Sequence, residues 1–357
     1  MNPLLELNSF GQSIWLDYIR RDFVTGDGLA KLIADDGLTG MTSNPAIFEK
    51  AIGGGNEYAA AIRALKDDGL DAMGTYEALA IEDIRGAADA LRPVFDASEG
   101  RDGFVSLEVS PYLAHDTAGT VAEARRLWRE VSRPNLMIKV PATPAGLPAI
   151  ELLISQDLNV NVTLLFSRGM YEQVAERYLA GLERRASEGG DLGRIASVAS
   201  FFVSRIDAAV DPLLPAGLQG KTAIANAKLA YASYMRIFSG ARWEALAEKG
   251  ARPQRLLWAS TSTKNPAYRD VLYVEELIGS NTVNTLPPAT LDAFREHGQP
   301  RASLEEDLTT ARSTLEAVEK HVKLEEVTDK LLADGVKQFA DAFDKLLAAV
   351  EAAKKAD

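Results

Sequence analysis

The sequence predicts a (β/α)8 TIM barrel with additional helices at its N- and C-terminal ends. Short apolar runs rich in β-forming residues recur along the chain, and each is followed by a longer stretch with helical periodicity. Eight such units are enough to close a barrel of parallel strands. The length of 357 residues suits one barrel with extra helices, so we predict a single domain over residues 1–357.

The predicted strands are short and are bounded by turn residues or by helical stretches. In the helix after the fifth strand, Val174, Tyr178 and Leu182 fall on one face, as in a helix that packs on a sheet. Pro134 ends the helix that precedes the fourth strand. In chain order, the eight predicted strands are 13–17, 39–43, 104–110, 136–141, 158–166, 195–204, 255–260 and 281–286.

The C-terminal stretch, from about 302 to 357, repeats Leu, Val and Phe at helical spacing. This pattern predicts appended helices that close one side of the barrel. We expect Gly335 to interrupt them and the polar end to fray after Ala349.

Charge and hydropathy exclude several classes of partner. Lys and Arg number 39 and Asp and Glu number 51, which gives a net charge of −12 and disfavours nucleic acid and anionic membranes. No apolar run approaches the roughly 20 residues that a membrane-spanning helix needs. The first residues lack the pattern of a signal peptide. We therefore expect a soluble, cytoplasmic protein.

Cysteine and histidine usage limits the chemistry. The chain has no cysteine, so disulfides, a thiolate nucleophile and a cysteine zinc site are excluded. His115, His297 and His321 show no metal-ligand spacing. We predict an activity that uses neither a metal nor a cofactor.

Lys139 stands inside the apolar fourth strand, LMIKVP. Removing an ammonium group from water is costly and lowers a lysine pKa toward the range in which the neutral amine attacks a carbonyl. The functional interpretation is a Schiff-base lysine. For an isolated lysine in a strand, a structural ion pair or a side chain that reaches the surface is the better interpretation. The surrounding strands decide between the two.

Polar side chains recur at the ends of the other predicted strands. Asp17 ends the first, Glu108 lies in the third, and Asn161 and Thr163 share one face of the fifth. Each has a structural alternative, such as a helix cap for Asp17, a partner of Lys139 for Glu108 and a simple β-former for Thr163. Because functional groups of such barrels lie at the C-terminal ends of the strands, the set together predicts a polar barrel mouth.

The late loops offer a site for an anion. Ser200 lies in the sixth predicted strand and Arg205 follows it, while Ser260 ends the seventh and Lys264 follows it. Hydroxyls and cations in these loops match the place where barrels commonly bind phosphate. An ion pair with Asp207 is the alternative for Arg205.

Five segments resemble, in this order along the chain, motifs of the transaldolases, and in particular of their longer bacterial form: TGMTSNPAIFEKAI, LMIKVPATPAGLPAI, NVNVTLLFS, SFFVSRID and WASTSTKNP. The resemblance covers nearly the whole chain. It implies a (β/α)8 barrel of the pentose phosphate pathway that moves a dihydroxyacetone unit from sedoheptulose 7-phosphate or fructose 6-phosphate to glyceraldehyde 3-phosphate or erythrose 4-phosphate.

The resemblance also implies roles for residues. The lysine that forms the Schiff base in that family corresponds to Lys139, and the general acid and base of carbon–carbon cleavage corresponds to Asp17. Glu108 and Thr163 correspond to residues that hold a proton-relaying water. The substrate-binding residues that resemblance and chemistry together predict are Thr42, Asn44, Asn161, Ser200, Phe202, Arg205, Ser260 and Lys264.

Alternatives stay open at this point. The aromatic residue at the position of Phe202 separates transaldolases from fructose-6-phosphate aldolases, and phenylalanine favours transfer. A metal-dependent aldolase or isomerase is disfavoured by the scarcity of histidine. A non-catalytic sugar-phosphate-binding barrel is disfavoured by the joint presence of Asp17, Glu108, Lys139 and Thr163. The protein could be a monomer or a homodimer.

Overall fold

The computed structural model describes residues 2–54, 57–66 and 69–355. Eight parallel strands pair in sequence order and close into a barrel, because β8 pairs with β1. The predicted fold class is confirmed. The strands are β1 (Gln12–Asp17), β2 (Gly40–Thr42), β3 (Phe104–Glu108), β4 (Leu136–Pro141), β5 (Val160–Leu165), β6 (Ser197–Phe202), β7 (Arg255–Ala259) and β8 (Thr282–Leu286).

Helices cover the outside of the barrel and extend the chain at both ends. Short 3-10 turns at Pro111–Leu113 and Asp211–Leu213 follow β3 and the helix after β6. In the described part of the chain the α-helices are α1 (Pro3–Ser9), α2 (Arg21–Thr25), α3 (Asp27–Asp36), α4 (Pro45–Gly53), α5 (Ala59–Lys66), α6 (Ala72–Ala90), α7 (Arg92–Ala97), α8 (Thr117–Val131), α9 (Gly146–Ser155), α10 (Arg168–Ser187), α11 (Ser204–Val210), α12 (Thr222–Ile237), α13 (Ala241–Ala247), α14 (Leu272–Glu275), α15 (Pro288–His297), α16 (Leu308–Val318) and α17 (Leu324–Lys355).

The strands match the predicted runs, but several are shorter. The fifth run, predicted over 158–166, pairs only from Val160 to Leu165. Its register shifts between Val162 and Leu165, where Leu164 adopts a φ of 61°. A residue other than glycine with positive φ is uncommon, and here it marks a local kink in β5. The alternating sequence pattern does not reveal this kink.

The lower end of the barrel is closed by a polar network. The carboxylate of Asp102 is buried, and its Oδ1 accepts a hydrogen bond of 2.7 Å from Trp15 Nε1. Ser13 Oγ donates to the other carboxylate oxygen, and the Arg255 guanidinium lies 3.6 Å from it. Because Asp102, Ser13 and Arg255 lie at the N-terminal ends of β3, β1 and β7, they serve stability and leave the opposite end for function.

The C-terminal segment differs from its prediction in two ways. The predicted interruption at Gly335 is wrong, because α17 continues through it. A Cβ on Gly335 would lie 2.9 Å from Leu164 Cδ2, so glycine allows the helix to approach β5 closely. The predicted fraying after Ala349 is also wrong for the described residues, because Val350 is buried and Lys354 Nζ donates to the Leu70 carbonyl.

The appended helices begin at Leu308, somewhat after the predicted boundary near 302, and residues 356–357 of that prediction lie outside the described residues. The single-domain organisation stays a prediction. Across the described ranges, no helix combines the length and the apolar character needed to cross a membrane.

Gly40 provides a test of the packing between β1 and β2. It pairs with Trp15, and a Cβ there would lie 2.5 Å from the buried indole ring. We expect Gly40→Ala to lower the free energy of unfolding by about 1–3 kcal/mol, as overpacked cores do, in denaturant unfolding followed by circular dichroism. Gly169→Ala is the matched control, since its Cβ would meet nothing within 4 Å in α10 and should leave stability unchanged or slightly raised. Equal stability of the two variants would contradict the packing.

Candidate active site

The strand register brings Glu108, Lys139 and Asn161 to one level of the barrel. Glu108 pairs with Lys139 across β3 and β4, and Lys139 pairs with Asn161 across β4 and β5. Parallel pairing preserves the direction of the side chains, so all three point to the same side of the sheet. Lys139 retains only 4% of its accessible surface. The buried lysine of the fourth strand is therefore one part of a polar layer that also contains Glu108 and Asn161.

A cavity of about 550 Å³ opens at the C-terminal ends of the strands. Ten of the twelve predicted site residues line it, and the other two, Glu108 and Asn161, are not part of its lining. The ten are Lys139, Asp17, Thr163, Thr42, Asn44, Ser200, Phe202, Arg205, Ser260 and Lys264.

The Lys139 amine has few polar contacts. Nζ donates a hydrogen bond of 3.2 Å to the Ser43 carbonyl, and it lies 3.8 Å from Glu108 Oε2. On another side the ring of Phe339 is centred 5.9 Å from Nζ. The amine is thus held by one backbone acceptor and one carboxylate, and its remaining side faces the cavity.

Glu108 is a carboxyl group in an unfavourable place for a charge. Burial raises its pKa to about 7, with a smaller contribution from the Asp17 carboxylate, while the Lys139 amine acts in the opposite direction. Oε2 has no hydrogen-bond partner among the described residues. A carboxyl group that titrates near neutral pH can both accept and return a proton beside Lys139.

Asp17 and Thr163 present polar atoms at the cavity wall. Thr42 Oγ1 donates a hydrogen bond of 2.6 Å to Asp17 Oδ1 and lies 2.8 Å from Thr285 Oγ1. The Thr163 hydroxyl is buried and finds no partner in the described part of the chain. An unused buried hydroxyl beside a cavity suits a bound water or a substrate oxygen.

The two predicted amides differ in their surroundings. Asn161 Nδ2 donates to Ser106 Oγ at 3.0 Å, and its Oδ1 accepts from Ser200 Oγ at 2.7 Å, so this amide orients Ser200 from below. Asn44 is the N-cap of α4, where its Oδ1 accepts from the Ile47 amide at 3.0 Å. Because Asn44 lines the cavity, its amide NH₂ can meet a substrate oxygen.

Cations surround the cavity mouth. Burial lowers the pKa of Arg205, whose guanidinium lies 5.4 Å from the Phe202 ring centre and donates to Gln338 Oε1 at 3.0 Å. Partial burial and the nearby Arg205 charge lower the pKa of Lys264, which donates to Ser262 Oγ at 2.8 Å. Two cations that destabilise each other would both gain from a bound dianion.

The alternative partner for Arg205 is engaged elsewhere. Asp207 accepts a 2.7 Å hydrogen bond from the Ala223 amide and a 2.9 Å hydrogen bond from the Tyr273 hydroxyl. The described residues contain no ion pair between Arg205 and a carboxylate. Ser260, next to this mouth, adopts a φ of 56° and brings its Oγ within 3.1 Å of Ser204 Oγ.

Comparisons with known proteins show the family of the chain. The family model described as transaldolase/fructose-6-phosphate aldolase matches residues 14–350. The chain belongs to this family. "Transaldolase" of Thiobacillus denitrificans is 50% identical over 98% of this chain and 100% of its own length. "Transaldolase 2" of Nostoc punctiforme is 48% identical over 98% and 97%, and "Transaldolase" of Thermobifida fusca is 49% identical over 97% and 96%.

The predicted family and the prediction of an enzyme are thereby confirmed. Other residues line the cavity without having been predicted, and among them are Arg20, Lys50 and Phe339. Lys50 lies within the quoted TGMTSNPAIFEKAI motif, but its helical position offered no reason to single it out. Phe339 comes from α17, and nothing in a periodic apolar tail distinguishes a cavity residue from a core residue.

The electrostatic coupling of Glu108 can be measured directly. We expect the carboxyl pKa near 7 to fall in Asp17→Asn, which removes a neighbouring negative charge, and to rise in Lys139→Met, which removes the cation. The measurement is a ¹³C NMR titration of glutamate-labelled protein. Glu108→Gln identifies the signal by its loss. A pKa that does not change in either variant would contradict the arrangement.

Proposed function

We propose that this enzyme is a transaldolase that carries a dihydroxyacetone unit on Lys139 as a Schiff base. The observation that supports it most is the buried Lys139 amine, which lines the same cavity as Asp17. It lies 3.8 Å from the Glu108 carboxyl group, whose pKa is about 7. Nucleophile, proton carrier and a second carboxylate are the groups that such a reaction requires.

Imine formation uses the lysine and Glu108. The neutral amine of Lys139 attacks the C2 carbonyl of the ketose phosphate and forms a carbinolamine. Loss of its hydroxyl as water needs a proton donor, and Glu108 in its protonated form can supply that proton, directly or through a water at the Thr163 hydroxyl. The product is a protonated imine at Nζ, which withdraws electrons from the neighbouring carbon atoms.

Cleavage of the C3–C4 bond uses Asp17. A base removes the proton from the C4 hydroxyl, the C3–C4 electron pair moves toward the iminium, and an aldose phosphate leaves. Asp17 lines the cavity and is oriented by the hydroxyl of Thr42, so its carboxylate is available as that base. The enamine that stays on Lys139 then attacks an aldehyde, which reverses the same steps.

The cations at the mouth account for phosphorylated substrates. Arg205 and Lys264 lie on the cavity wall with the hydroxyls of Ser260 and Ser262. Among the described residues, neither cation forms an ion pair with a carboxylate. Charge-assisted hydrogen bonds to a phosphate dianion fit this set. We propose fructose 6-phosphate and sedoheptulose 7-phosphate as donors, and erythrose 4-phosphate and glyceraldehyde 3-phosphate as acceptors. We also propose that the enzyme is a single domain and acts in the cytoplasm.

The transfer assay separates the proposal from aldol cleavage. With fructose 6-phosphate and erythrose 4-phosphate together, we expect glyceraldehyde 3-phosphate to be released, followed by a coupled dehydrogenase, and little release from fructose 6-phosphate alone. Lys139→Met should abolish the reaction because no other described amine lies in the same position next to Glu108. Equal release without the acceptor would make the enzyme a fructose-6-phosphate aldolase, and loss of activity with a chelator would point to a metal.

Borohydride trapping is the control for the intermediate in this assay. Reduction in the presence of fructose 6-phosphate should fix a three-carbon adduct on the peptide that contains Lys139, as read by mass spectrometry. An active enzyme that gives no adduct there would remove the Schiff base from the proposal.

The phosphate site is tested by charge removal. We expect Arg205→Gln to raise KM for fructose 6-phosphate about tenfold or more, because a charge-assisted hydrogen bond to phosphate is lost. KM for unphosphorylated fructose should change little. Arg168→Gln, an exposed arginine on α10, is the matched control and should leave both values unchanged. A similar loss for both sugars would place Arg205 outside the phosphate site.

A further inference from the structure

The helix α17 crosses the barrel mouth and presents one face to it. Gly335, Phe339 and Phe343 follow one another at a spacing of four residues, so they lie on the same side of the helix. Gly335 contacts Leu164 of β5, and the Phe343 ring packs edge-on against Tyr76 at 5.4 Å. Phe339, between them, faces the reaction cavity.

The helix is firmly docked on both sides of Phe339. Phe343 is 2% exposed and also meets the ring of Tyr112 at 5.7 Å, while Leu346 and Val350 are fully buried. Gln338, the neighbour of Phe339, accepts the hydrogen bond from Arg205 at 3.0 Å. The helix therefore contributes a fixed wall to the site, which the strand loops alone do not complete.

Phe339 lies where it can control water at the reacting nitrogen. It retains only 6% of its accessible surface, and its ring centre is 5.9 Å from Lys139 Nζ. The opposite side of Nζ is polar, with the Ser43 carbonyl and Glu108. An apolar face on one side and a proton carrier on the other give the intermediate a dry side and a reactive side.

The difference matters because two fates compete for the three-carbon enamine. In transfer, its C3 attacks the acceptor aldehyde and a new carbon–carbon bond forms, and only afterwards does water add to C2 and release the longer ketose phosphate from Nζ. In the competing reaction, C3 takes a proton, water adds to C2 of the resulting iminium, and the C2–Nζ bond breaks to release dihydroxyacetone and the free amine. The second route needs only water and a proton, so it depends on access of water to C2.

We propose that Phe339 is a positioning residue that excludes water from C2 of the three-carbon intermediate and so commits the enzyme to transfer. The inference rests on the proposed transaldolase function. An aromatic face within about 6 Å of a cation also favours the protonated imine. Exclusion of water is the larger part of the proposal, since it acts on the choice between the two fates.

The test measures dihydroxyacetone released per sedoheptulose 7-phosphate formed, with fructose 6-phosphate and erythrose 4-phosphate as substrates. We expect Phe339→Ala to raise this ratio about tenfold, which corresponds to a barrier lower by about 1.4 kcal/mol for the water reaction. Phe339→Leu keeps an apolar side chain of similar reach and should stay near the wild-type ratio. Phe339→Val should lie between the two, so the order of Leu and Val decides the matter even if the alanine variant does not fold.

Val350→Ala is the matched control on the same helix. Val350 is buried, lies outside the cavity lining and is part of the same docking face. We expect its substitution to lower the melting temperature without changing the ratio. An unchanged ratio in Phe339→Ala, an equal change in Val350→Ala, or a leucine variant that behaves like the alanine variant would each overturn the proposal. A wild-type enzyme that makes no sedoheptulose 7-phosphate would instead refute the proposed function.

Discussion

The proximity of Glu108 and Lys139 inside a closed barrel is the constraint on which the site depends. Their charged atoms are 3.8 Å apart, both side chains are nearly inaccessible, and no hydrogen bond between backbone and Glu108 Oε2 compensates for burial. Desolvation of such a pair offsets much of its attraction, so it adds little to stability. What it gains is a proton that moves easily near neutral pH, because the carboxyl pKa has risen to about 7.

A second buried carboxylate in the same barrel shows the contrast. Asp102, at the opposite end, accepts hydrogen bonds from Trp15 and Ser13 and lies near the Arg255 guanidinium. Glu108 has the Lys139 amine, with no partner for Oε2 among the described residues. A fully satisfied carboxylate fixes the strands against one another, whereas an incompletely satisfied one is ready to exchange a proton.

Much of the fold and of the site follows from local patterns. Strand period, helical period and the proline before β4 are short-range signals, and they locate all eight strands. Polar residues at strand ends predict a shared site because the parallel register turns a sequence position into a height in the barrel. This is why the sequence alone groups Asp17, Glu108, Lys139 and Thr163.

Other features depend on contacts between distant segments, and the sequence pattern carries no sign of them. Asn161 lies on the predicted strand, and its amide is hydrogen-bonded to Ser106 and Ser200 and is not part of the cavity lining. The kink at Leu164 interrupts an otherwise regular alternation. In the sequence Gly335 resembles a helix breaker, whereas in the structure the absence of a side chain leaves room for Leu164.

These last two residues connect the strand that carries Thr163 with the helix that carries Phe339. Leu164 holds a backbone conformation that costs free energy for a residue with a side chain, and such strain persists only where the surrounding packing determines it. Its side chain meets α17 at Gly335, one helical turn before Phe339. The strand ends and the segments that follow them contribute the charged and hydroxyl groups of the cavity, and α17 adds the ring of Phe339 on the side of Lys139. A docked helix has less freedom to move than a loop, which suits the proposed role of Phe339 in keeping water from the three-carbon intermediate.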